Sequence, residues 1–136
     1  PGGTAPLRLA QMRRFAGDFT GLRTAKDGAE RTMRMLTTPL YRYPATGSTA
    51  VLDGAVFVFF DNWDPELMLV FEAHRAAETA VWKWSAARFS DRYMRLEYRG
   101  NEVWSCPAEH LGGATLPYYV KHSPLVFDHV SGERVQ

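Results

Sequence analysis

The sequence predicts a mainly β fold. The expected form is an antiparallel meander of seven or eight strands, strongly curled or closed into a small barrel, with one helix at its N-terminal end. Three observations predict it. From Gly54 to Trp104 the chain reads VFVFF, LMLVFEAH, VWKWSAARF, YMRLEY and EVW, each of strand length and rich in β-branched and aromatic residues. Short polar stretches separate these runs, at Asp61-Asn62-Trp63-Asp64-Pro65-Glu66, Ser90-Asp91-Arg92 and Arg99-Gly100-Asn101. The longest apolar run, around Ala55 to Phe60, falls far short of the roughly 18 residues that a membrane helix needs.

Composition bounds the rest. A chain of 136 residues suits one soluble domain that buries a core without a disulfide or metal. Its 46% hydrophobic and 23% charged residues argue against disorder. A net charge of +1 supplies no overall field to attract nucleic acid. Arginine far outnumbers lysine; that pattern suits carboxylate or phosphate recognition, and it also follows from base composition alone. Cys106 is the single cysteine, so no intrachain disulfide forms, which favours the cytoplasm only weakly. The chain begins at Pro1 without a methionine, as a trimmed, processed or partial chain would, and the compartment stays open.

The elements follow in order. Residues 1–5 read as a flexible start. Thr4 offers an N-cap and Pro6 suits the first turn of a helix over about Pro6 to Phe15. Met12 and Phe15 would rest on the sheet while Arg8, Arg13 and Arg14 face water. A strand over about Asp18 to Thr24 follows, then the tight-turn signal Lys26-Asp27-Gly28. Met33 and Met35 alternate with Thr32 and Arg34 in a strand from about Glu30 to Leu36, which Pro39 ends. Leu40 to Tyr43 resumes extended structure. Ala55 to Phe60 is apolar throughout and should be covered on both faces. Strands over Leu67 to His74, Val81 to Phe89, Tyr93 to Tyr98 and Glu102 to Ser105 complete the series. Residues 107–136 read as an irregular tail packed on the sheet, although its short apolar pieces Tyr118-Tyr119-Val120 and Leu125-Val126-Phe127 could also be extra strands.

Side chains two apart share a strand face. If consecutive strands pair through their short turns, one face carries Met68, Val70 and Glu72 with Trp82, Trp84, Ala86 and Arg88. It continues with Met94, Leu96, Tyr98, Glu102 and Trp104. The opposite face carries Leu67, Leu69, Phe71 and Ala73 with Lys83, Ser85, Arg95 and Glu97. The tryptophan face would line the interior.

The stretches TPLYRY (from Thr38), VLDGAVFVFF and DPELMLVFEA loosely resemble segments of uncharacterised bacterial proteins, over about Thr38 to Trp104. The resemblance implies no activity and carries no functional residue.

Functional signals are weak. Trp82, Trp84, Tyr98 and Trp104 could stack on a flat ligand, with Glu72 or Arg88 as the polar anchor of an apolar pocket. The plainer alternative makes the aromatics core and the charged pair strand-end residues. Glu72 and His74 point to one side, as an acid/base pair would, or as a surface pair. His110, His122, His129 and Asp128 are the only metal-type group, too widely spaced for a typical site, so no metal or cofactor is expected. Cys106 near His110 reads as a buried inert thiol rather than a nucleophile. No phosphate loop, dinucleotide fingerprint or nucleophile elbow is present. The first expectation is therefore a non-enzymatic module binding an apolar or aromatic small molecule. The second is a structural domain contacting a protein partner or another copy through Trp63, Tyr41, Tyr43 and the apolar tail. The third is a small lyase, isomerase or hydrolase using Glu72 with a raised pKa.

Overall fold

The strand and turn signals become a mainly β, antiparallel structure in the computed structural model, which describes residues 1–44, 50–77, 79–108, 125–127 and 134–135. Helix α1 spans Ala5–Gly17, with Pro6 in its first turn. Thr4 stands at the N-cap, but its side chain makes no capping bond; its carbonyl accepts the Arg8 N–H at 3.0 Å. Met12 and Ala16 are fully buried, and Phe15 packs on Phe71 and Trp82.

The strands are β1 (Phe19–Thr24), β2 (Glu30–Thr32), β3 (Arg34–Met35), β4 (Tyr41–Pro44), β5 (Val51–Asp61), β6 (Asp64–Ala76), β7 (Thr79–Arg88), β8 (Met94–Tyr98), β9 (Asn101–Cys106), β10 (Leu125–Phe127) and β11 (Arg134–Val135). They divide between two sheets. The small sheet has the order β2-β1-β8-β9. The large one runs β11-β10-β7-β6-β5-β3, with β4 also paired to β5, and one sheet curls strongly into a half-barrel. The backbone of Leu125–Phe127 thus extends the large sheet, at one of the apolar pieces for which the sequence leaves a strand or a packed tail open.

Several local expectations change. The strand expected over Glu30 to Leu36 breaks at Met33, and its halves join different sheets: β2 pairs β1, and β3 pairs β5. Met33 sits at the corner, only 5% exposed, with its N–H bonded to Gly21. Strands β7 and β8 do not pair; β7 takes β10 as its second neighbour, while β8 lies between β1 and β9.

The face assignment also changes. Strand β6 runs on to Ala76 and pairs directly with Thr79, so Phe71 lies opposite Trp84 and Glu72 opposite Lys83. Odd positions of β6 therefore share a face with even positions of β7. Leu67, Leu69, Phe71 and Ala73 join Trp82, Trp84 and Ala86 inside, and Glu72 moves to the outer face. A one-residue difference in the turn is enough, because the side-chain period is two. A register shift between Leu96 and Glu97 likewise places Glu102 opposite Glu97, outside the core, while Trp104 stays opposite Leu96 within it.

The core lies between the inner faces of the two sheets and under α1. Phe19 is its centre, with ring centroids 5.7 Å from Phe71, 5.2 Å from Trp84 and 4.9 Å from Tyr98. These tilted and edge-on contacts are the favoured aromatic geometries. Gly21 makes room beside them: a Cβ there would come within 2.9 Å of Phe59 and Met33.

Candidate functional site on the outer face of the large sheet

Three rows of side chains cross the outer face. The middle row starts at Tyr43, which pairs with Gly54; Gly54 pairs with Glu72, and Glu72 with Lys83. Above it, Tyr41 pairs with Val56, Val56 with Val70 and Val70 with Ser85. Below it, His74 pairs with Val81. Residues related this way lie on one face of the sheet, so polar groups distant in sequence meet on a floor of valines.

Gly54 makes the middle row possible. Its missing side chain lets the Tyr43 ring lie across β5, where a Cβ would be 2.3 Å from ring carbons. The ring then reaches β6, and its hydroxyl donates to Glu72 Oε1 at 2.7 Å. His74 Nε2 lies 2.8 Å from Glu72 Oε2, so both carboxylate oxygens are engaged.

Burial pushes the Glu72 carboxyl up, but the hydrogen bonds from Tyr43 and His74 and the nearby charges of His74 and Lys83 outweigh it. The net displacement is below the ordinary carboxylate range. The Tyr43 phenol moves the other way: burial, then its bond to the Glu72 carboxylate, raise it well above an ordinary tyrosine. At neutral pH the site therefore holds an ionised carboxylate clasped by a neutral phenol. Lys83 is half-buried beside it, with no hydrogen bond or ion pair to the described residues. Tyr41, 63% exposed, stacks on Tyr43 at 6.0 Å and 24° and forms a flat wall at one end.

A second polar cluster is structural. Asp53 is 1% exposed and would be costly to bury alone. Arg42 binds it at 3.2 and 2.8 Å and Arg8 at 2.9 Å. Arg42 also donates to the Ala5 carbonyl at 2.7 Å, so the cluster ties α1 to β4 and β5. Arg8 is thus a clamp rather than one of the water-facing arginines expected. Burial raises the Asp53 carboxyl, but the bonds and charges of Arg42 and Arg8 bring it below the usual range.

The anticipated site residues separate. Trp82, Trp84, Tyr98 and Trp104 are buried in the core. Arg88, also buried on that side, donates to the Pro107 carbonyl at 2.7 Å. Glu72 lies on the opposite face. Tyr43, which bonds to it, was expected only as a protein contact, and Lys83, across the strand from it, was not expected at the site; the Tyr41-Arg42-Tyr43 alternation beside a glycine-interrupted strand was the available signal. The anticipated Glu72–His74 pair does meet. His110, His122, His129 and Asp128 lie outside the described residues. Among the described residues no group of three or more His, Cys, Asp or Glu is placed to hold a metal ion. No helix among them is long and apolar enough to cross a membrane.

Some buried polar atoms lack a partner among the described residues: Trp82 Nε1, Arg23 Nε, Glu66 Oε2 and Ser90 Oγ. Arg23 is otherwise joined to Asp61. Comparison with protein-family models, characterised proteins and solved structures finds no match.

Proposed function

We propose that the protein is a non-enzymatic domain that binds a small molecule on the outer face of its large sheet. The observation that carries this reading is the half-buried Tyr43–Glu72–His74 network, with Lys83 beside it, set in a floor of Val56, Val70 and Val81. A few convergent polar groups on an apolar base are the usual composition of a ligand site. The tryptophans expected to line a pocket serve this reading indirectly, by giving the sheet a rigid aromatic backing.

The chemistry disfavours the acid/base alternative. A carboxylate already accepting two hydrogen bonds, with its pKa lowered, is a poor general acid at neutral pH. The interaction-domain alternative draws on one observation: Trp63, at the tip of the β5–β6 hairpin, is 88% exposed.

A fragment library screened by amide NMR on the full chain tests the first reading. Saturable shifts grouped at Tyr43, Glu72, His74 and Lys83 are expected. If no fragment moves that group, the reading fails. Light scattering tests the second: a concentration-dependent oligomer that Trp63→Ser dissolves would replace ligand binding with assembly as the main role.

A further inference from the structure

We infer that the ligand is a flat organic anion, its acidic group held by Lys83 and its ring laid over Val70 and Val56 against Tyr41. The inference rests on the ligand-binding reading above and adds the chemical class.

Donors and acceptors on this face are unequally used. Glu72 is the anion of the face, but each of its oxygens already accepts a bond, from Tyr43 at 2.7 Å and His74 at 2.8 Å. A cationic ligand would find only the remaining lone pairs of these oxygens, beside the like charge of Lys83. Lys83 carries an ammonium that donates to none of the described residues. An ammonium offers three donors and no acceptor, so among the described residues the unmet requirement on this face is for an acceptor. Acceptors that carry negative charge make the stronger bonds.

The face also has a definite shape. Lys83 and Tyr43 stand at opposite ends of a row that crosses β7, β6, β5 and β4. Three strand spacings put their Cα atoms about 14 Å apart. The Tyr43 ring, Glu72 and the long lysine stem occupy that row, so a two-ring body of similar length would lie alongside it. The neighbouring row supplies a matching surface: Val56 and Val70 are half-buried, and Tyr41 presents its ring at 63% exposure. Tyr43 stacks behind Tyr41 and is itself anchored on Glu72, so the wall is held in place before any ligand arrives. Such preorganisation lowers the entropic cost of binding.

The probes are 2-naphthoate, its neutral alcohol and its cationic methylamine counterpart, and acetate as the charge without the ring. Amide NMR on the full chain follows each titration. Saturable shifts with 2-naphthoate at Tyr41, Val70 and Lys83 are expected, with the alcohol and acetate each weaker by about tenfold or more. Lys83→Met should bring naphthoate down to the level of the alcohol, and Lys83→Arg should retain binding. Equal binding of naphthoate and the alcohol, or unchanged affinity in Lys83→Met, overturns the inference and leaves the ligand-binding reading standing. Preference for the amine does the same. Silence from all four probes at these residues, together with an empty fragment screen, overturns both.

Discussion

Replacing Gly54 with alanine tests how the outer-face row is built. The new methyl carbon would stand 2.3 Å from Cε2 and Cζ of Tyr43 and 2.6 Å from its hydroxyl. Contacts that short cannot persist, so the ring must swing away from β5 and give up its bond to Glu72. A hydrogen bond to a charged group is worth about 1.5–3 kcal/mol, and overpacking costs about 1–3 kcal/mol. The two costs overlap, because moving the ring relieves the clash. Against them stands a gain of about 0.4–1 kcal/mol from the lower freedom of alanine in the unfolded chain. The expected net loss is about 2–4 kcal/mol, read as a lower urea midpoint at unchanged slope. The same substitution made in a Tyr43→Ala background should be neutral or stabilising, since no ring remains to collide. An equal loss in both backgrounds, or no loss in the wild-type background, would refute the claim that Gly54 exists to seat Tyr43.

Further outcomes follow from the other clusters. Asp53→Ala leaves Arg8 and Arg42 without their buried partner and should cost about 3–5 kcal/mol, with loss of helical circular dichroism as α1 detaches. The pH dependence has a definite sign. The Asp53 carboxyl is lowered in the folded state, so its stabilisation is present above the unfolded value of about 3.9 and disappears as pH falls through the folded one. Urea midpoints measured from pH 7 to 2 should fall less steeply below about pH 4 in Asp53→Asn than in the wild type; parallel curves would contradict this. Phe19→Ala removes the ring shared by Phe71, Trp84 and Tyr98 and should cost about 3–5 kcal/mol, seen in the same assay. Trp63→Phe should abolish the iodide-quenchable, red-shifted part of the tryptophan emission and change stability by under about 0.5 kcal/mol.

Much of the fold was legible in the sequence because turn chemistry and strand period are local. Asp27-Gly28 and Arg99-Gly100 mark tight turns, and both glycines adopt a φ of +81° in the structure. Which face of β6 meets the tryptophans was not legible. Met68 and Val70 are as apolar as Leu67 and Leu69, so hydrophobicity could not choose between the faces, and one residue in the turn after Ala76 decided it. The break at Met33 was hidden for a similar reason: the alternation of Thr32, Met33, Arg34 and Met35 is that of one strand, and only the packing of two sheets bends it. For the candidate site, the Glu72–His74 pair was visible because i and i+2 share a face. The bond from Tyr43 was not, since it spans 29 positions and depends on β4 lying beside Gly54.

The division into two sheets has a consequence for the order of assembly. Strands β5, β6 and β7 follow one another through short turns, so their pairing requires only brief loop closures. The small sheet joins β1 to β8, and the Asp18–Arg99 ion pair at its end links residues 81 positions apart. Contacts that distant form slowly, because much chain entropy is lost before they contribute. The small sheet should therefore close late in folding and be early to open, with amide exchange faster in β1 and β8 than in β6. The row from Tyr43 to Lys83 is carried on strands β4 to β7, on the early side of that division. Its bonds can be in place before the barrel-like interior is sealed, and they can outlast its transient opening.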